Sequence, residues 1–147
     1  MADNRQFLRI GLQGADYLLP GTASFAIEKR ENLEDGEPGA LIAAWSVTPR
    51  GRWPAYSVDS DLDPYPRSAW QRAVFLQGQM QPLGLVADEL QLLGRDEVRV
   101  ERFRPLGPEP TPLGHLFNGA WVRPGRPPLL VFDPRALAEY LRRLGGA

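Results

Sequence analysis

A chain of 147 residues with a formal net charge of −1, fifteen glycines, fifteen prolines and no cysteine is long enough for one domain that buries roughly 70% of its unfolded surface. The lack of cysteine excludes disulfide frameworks, thiolate nucleophiles and cysteine-ligated zinc, and the slight acidity speaks against a protein that neutralises many phosphates, so nucleic acid is not an expected partner. No stretch approaches the ~20 apolar residues of a membrane span and the N-terminus carries no signal-peptide core, so the expected setting is the cytoplasm, without direct membrane insertion.

Glycine and proline are spread along the chain rather than gathered into a linker, and they cut it into short segments that read mostly as strands. Residues 7–13 alternate, with Leu8, Ile10 and Leu12 on one face, and Gly14-Ala15-Asp16 turns the chain into residues 17–20, giving a first hairpin. Residues 23–32 fit either an irregular strand or a helix. Residues 31–40 scatter carboxylates among turn formers and read as a solvated loop. Further strands are predicted over 41–47, 53–58, 73–77, 82–86, 98–103, 115–122 and 129–132, with a short helix over 66–71 and a proline-rich hairpin loop over 123–128. The best-marked element is the last. Asp133 is a natural N-cap, Pro134 fits the first helical position, Leu137, Tyr140, Leu141 and Leu144 form one stripe, and Arg142 and Arg143 precede Gly145. Many short strands closed by one helix predict a barrel or sandwich of the mainly β class.

Candidate chemistry is sparse. Asp59, Asp61 and Asp63 have the spacing that opens an EF-hand loop, but the sixth and twelfth positions hold Pro64 and Trp70 where that loop needs Gly and Glu, so these are turn-forming aspartates. His115 is the single histidine and has no Ser or acidic residue in a catalytic spacing beside it, so a structural or surface role is expected. Asp88 and Glu89 are adjacent, and neighbours on a strand point to opposite faces, which suits a strand-end turn rather than a shared catalytic proton. Arg50-Gly51-Arg52-Trp53 and Arg102-Phe103-Arg104 mix arginine with aromatics. Such mixtures grip single-stranded nucleic acid or anchor protein interfaces, and the overall acidity favours the second. No catalytic residue, metal site or cofactor is therefore expected.

In chain order, several segments resemble the CheW-like family of bacterial chemotaxis. Tyr17-Leu18-Leu19-Pro20 follows the first hairpin strand. Val47-Thr48-Pro49-Arg50-Gly51 is similar to the family's N-L-R-G turn, and residues 82–90, PLGLVADEL, are close to its P-x-G-L-x-V-D-x-V signature. Leu116-Phe117-Asn118-Gly119 and Leu129-Leu130-Val131-Phe132-Asp133-Pro134 are similar to its closing strands and helix start. The resemblance implies a single domain over 1–147, made of two intertwined, five-stranded SH3-like barrels that share a core, with a C-terminal helix. It also implies a non-catalytic adaptor that couples the cytoplasmic tip of chemoreceptors to a CheA-type histidine kinase. One barrel end would pair with the kinase and the groove between barrels would meet the receptor. By motif position Arg50 and Gly51 are expected on the receptor-facing side, and Ile27 and Glu28 match the family's hydrophobic and acidic residues after the first hairpin. Val86 and Leu90 are expected in the core. Thr48 and Pro49 stand where the family has Asn and Leu, and Trp45, Trp53 and Tyr56 are bulkier than usual. Such departures suit, as the alternative, an adaptor of a type IV pilus or another surface-motility system.

Overall fold

The structure is a computed structural model that describes residues 6–77, 81–103 and 116–145. The alternating first segment folds as expected: β1 (Phe7–Leu12) and β2 (Ala15–Leu19) pair antiparallel, Leu12 opposite Ala15. Gln13 and Gly14 make the turn with φ of 49° and 90°, the left-handed pair that matches the twist of a two-residue hairpin. Leu8, Ile10 and Leu12 are fully buried.

The remaining strands are β3 (Phe25–Lys29), β4 (Glu34–Asp35), β5 (Ile42–Thr48), β6 (Gly51–Tyr56), β7 (Arg72–Leu76), β8 (Leu83–Ala87), β9 (Glu89–Leu93), β10 (Val100–Arg102), β11 (Phe117–Trp121) and β12 (Leu129–Phe132). They form two six-stranded sheets, in the orders β10-β11-β12-β2-β1-β9 and β3-β7-β8-β6-β5-β4. Each is an SH3-like half of the molecule; the two-residue β4 and three-residue β10 take the count one above the expected five. The second sheet uses one continuous stretch of chain, whereas the first joins the N-terminal hairpin to β12 by a parallel contact with β2 and to β9 by an antiparallel one with β1.

Helix α1 (Pro134–Leu144) is capped as predicted, the Asp133 carboxylate accepting from the amides of Arg135 and Ala136 at 3.0 and 3.4 Å. Its Leu137 and Leu141 pack with Leu8, Ile10 and Leu12 of one sheet and Tyr56, Val74 and Leu85 of the other, a core shared by both halves. Each sheet also wraps a smaller core. Leu18, Leu93, Val98, Leu129 and Val131 fill one, and Trp70, Phe75 and Val86 lead the other. Val86 is fully buried and Leu90 packs against the shared core, as expected of both.

One open reading of local structure is settled and two are corrected. Residues 23–32 resolve into strand β3 followed by a 3-10 turn over Arg30–Asn32. The acidic segment 31–40 is not wholly loop, because Glu34 and Asp35 pair with Trp45 and Ala44. No helix forms over 66–71. The Gln71 amide, which would close a helical turn on Arg67 O, instead donates to Ala87 O at 3.1 Å, and the segment's later carbonyls accept from arginines: Arg30 donates to Ser68 O and Trp70 O at 2.7 and 3.1 Å, and Arg67 to Ala69 O at 3.1 Å. The proline-free stretch β9 was not anticipated as a strand. It begins at once after Asp88, where the chain leaves one sheet for the other.

Candidate interaction surface

The turn between β5 and β6 is built by its own sequence. Thr48 pairs with Gly51 across Pro49 and Arg50. The Thr48 hydroxyl accepts from the Arg50 amide and donates to Gly51 O, both at 3.2 Å. Gly51 has φ of 145°, a conformation that side chains disfavour, and a Cβ there would come within 3.3 Å of the Trp53 ring. The glycine is therefore fixed by geometry, and Arg50 is left exposed at the tip.

Ile27 and Glu28 lie elsewhere. They sit on β3 opposite Val74 and Ala73, and being adjacent they face opposite sides of the strand. Ile27 is 37% exposed and Glu28 is half-buried. Strand β3 is separated from β6 by β7 and β8, so the four residues named from the sequence do not form one patch. A groove of about 590 Å³ lies beside Ile27's strand, between α1 and the strand ends, with Ser24, Leu76 and Leu83 on one wall and Ala138 and Arg142 on the other. Phe25, Leu76 and Leu83 are level across three strands, and β6 runs parallel to β8 with Ala55 beside Gly84. The groove and the Arg50 turn thus open at the same end of the sheet.

On its outward side the hairpin carries a group that the sequence did not single out as a unit. Trp45 lies opposite Pro54 and Val47 opposite Arg52. The Arg52 guanidinium stacks over the Trp45 ring at 4.5 Å and reaches Glu34 at 3.9 Å. Alternation along two paired strands, with Trp and Arg on one face, was the available signal.

A second unexpected group joins the two halves. The Arg67 side chain, 4% exposed, pairs with Asp88 and donates to Val58 O at 3.3 Å. Burial lowers the Arg67 pKa from its ordinary value. Asp88 in turn accepts from the Gln13 amide at 2.7 Å while its own amide donates to Gly11 O at 2.9 Å. One carboxylate thus ties β1, the segment around Arg67 and the crossing point between sheets. The strand-end turn expected at Asp88-Glu89 is this crossing.

The aspartate loop is likewise self-contained. Asp59 accepts from the amides of Asp61 and Asp63 at 2.9 and 3.0 Å, and the hydroxyls of Tyr17 and Tyr140 donate to Ser60 O and Leu62 O. Burial, with Asp61 and Asp59 nearby, raises the Tyr17 pKa; burial, with Asp63 and Asp59, raises that of Tyr140. Among the described residues no group of three or more acidic or histidine side chains is placed to hold a metal ion, and no helix is long and apolar enough to cross a membrane. His115 and Arg104 lie outside the described residues; Phe103 is 49% exposed.

No family model and no curated protein matches the chain. Among solved structures it is similar to the scaffolding protein CheW of Thermoanaerobacter tengcongensis, with a TM-score of 0.62 over 89% of this chain and 90% of that one, at 14% identity. Its fold is that of CheW. The coverage takes in both sheets and the shared core, so the resemblance read from short motifs extends to the whole CheW architecture. At this identity few side chains are held in common. The Trp45–Arg52 stack and the Arg67–Asp88 pair are features of this chain.

Proposed function

We propose that this protein is a cytoplasmic, non-catalytic adaptor that couples chemoreceptors to a CheA-type histidine kinase. The supporting observation is a CheW fold, matched over 89% of the chain, in which the Arg50 turn and the groove beside β3 open at one end of the same sheet. A two-stranded turn presenting an exposed guanidinium, at the same end of the sheet as a groove that mixes Leu76, Leu83 and Ala138 with Arg135, Glu139 and Arg142, suits recognition of a helical receptor tip. In this reading Arg50 contacts the receptor, Gly51 holds the turn, and Ile27 and Glu28, on the strand that follows Ser24 of the groove wall, offer a second contact. Arg67, a charged side chain buried in the fold, is tied up by Asp88 in a structural pair, and the Asp59 carboxylate by the amides of its own loop, which suits a scaffold better than an enzyme. The Trp45–Arg52 stack beside a Thr-Pro turn favours a partner specialised relative to the usual receptor, such as one of a surface-motility pathway.

Capture of purified kinases and receptor cytoplasmic fragments from the same cell by the full chain tests this. The expected result is retention of a CheA-type kinase, with Arg50→Ala selectively losing the receptor. Retention of neither partner at concentrations well above micromolar would overturn the adaptor role.

A further inference from the structure

We propose that residues 57–71 are a strap that sets the angle between the two sheets, fastened at two separate points to parts of the fold outside the sheet it belongs to. The chain leaves the second sheet after Tyr56 and returns to it at Arg72, with one isolated bridge, Val58 to Pro64, in between. A connection of that length without a helix or strand of its own is uncommon in a small domain and usually has a task. This one is drawn inward. Val58, Leu62 and Trp70 are at most 3% exposed, the first two in the core shared by both halves and the third in the second sheet's own core.

The first fastener is at Leu62. Its φ of 68° is a conformation that a bulky side chain disfavours, so its surroundings hold it there. Tyr17 of β2, stacked on Phe117 with ring centres 5.8 Å apart, donates its hydroxyl to Ser60 O at 2.6 Å, and Tyr140 of α1 donates to Leu62 O. The second fastener is at Arg67. Its guanidinium gathers the strap by donating to Val58 O and Ala69 O at 3.3 and 3.1 Å, and it pairs with Asp88 at the crossing between sheets. Asp88 is bound in turn to the Gln13 amide of the β1–β2 turn. A strap that starts and ends in the second sheet thus bonds to the first hairpin, to α1 and to the crossing point. Hydrophobic attraction is non-directional, so the shared core holds the halves together without fixing how they are turned. Hydrogen bonds weaken steeply when misaligned, and a satisfied buried polar network specifies one arrangement. The core supplies the adhesion and the strap the angle. The inference goes beyond the adaptor reading and does not require it; in a scaffold, that angle sets the relative placement of whatever the two halves hold.

The test is a distance measurement by pulsed dipolar EPR on the full chain. Since the chain has no cysteine, introduced cysteines carry spin labels only at chosen sites. Val47→Cys with Val122→Cys spans the two sheets and Leu92→Cys with Val122→Cys lies within the first half; these positions are 49%, 57% and 48% exposed. One strap variant combines Tyr17→Phe and Tyr140→Phe, which removes the hydroxyls and keeps the rings. The other combines Arg67→Met and Asp88→Asn, which removes both charges together and so leaves neither unpaired. In either variant the cross-sheet distance is expected to shift or broaden by about 2 Å, the scale on which packed elements slide past one another, while the distance within the first half stays. The tyrosine variant carries the test if the arginine variant does not fold. A cross-sheet distance unchanged in every folded variant would overturn the proposal even if the denaturation midpoint fell, because the strap would then be adhesive alone. A within-half distance that changed as much would overturn it too. No partner enters the measurement, so its outcome is independent of kinase capture.

Discussion

Arg67 and Arg52 carry the same guanidinium into opposite circumstances. Arg67 is enclosed, paired with Asp88 and bonded to two carbonyls; Arg52 lies open on the face of a tryptophan with a distant carboxylate. Taking a charge out of water is expensive, so the buried pair is tolerated only because every partner is in place, and removing one is costly. The open pair contributes little to folding and is free to be used for recognition. Burial, rather than residue type, separates the arginine that holds the halves together from the one left open to solvent.

The contrast can be broken most severely at the junction. Asp88→Ala leaves Arg67 without its carboxylate and Gln13 without its acceptor, and is expected to destabilise the chain by about 3 kcal/mol, read as a lowered denaturation midpoint. An unchanged midpoint would mean that the pair is incidental. Gly51→Ala is expected to cost about 1–2 kcal/mol through its left-handed backbone and the crowding of Trp53, and to weaken receptor capture along with Arg50→Ala. Smallest is Arg52→Ala, with an expected change in stability of under about 0.5 kcal/mol. A loss comparable to that of Asp88→Ala would place Arg52 among the structural arginines and remove the distinction.

Much of the fold was legible because it is local. The alternation of Leu8, Ile10 and Leu12, and the Asp133-Pro134 start of α1, depend on neighbours within a few residues, and both are found as expected. What was missed depends on distant partners. Residues 66–71 resemble a helix until Ala87, further along the chain, takes the Gln71 amide that would close its turn, and the role of Arg67 appears only when Asp88 is beside it. Strand β4 is two residues long and is defined by its pairing with β5, not by any pattern of its own. At the interaction surface the turn was legible from the Thr-Pro-Arg-Gly spacing. The Trp45–Arg52 stack was not, because it requires the register that sets Trp45 opposite Pro54.

The order of strands has a consequence for how the chain is made. The sheet running from β3 to β8 is drawn from one unbroken stretch, Phe25 to Ala87, while β1 and β2, paired with each other, find their outer neighbours only in β9 and β12. During synthesis the inner sheet can close as soon as that stretch has left the ribosome. The first hairpin must wait, with Leu8, Ile10 and Leu12 uncovered, until almost the last strand arrives. Long-range pairing of this kind is slow, and the waiting hairpin is the part of the nascent chain most open to wrong contacts.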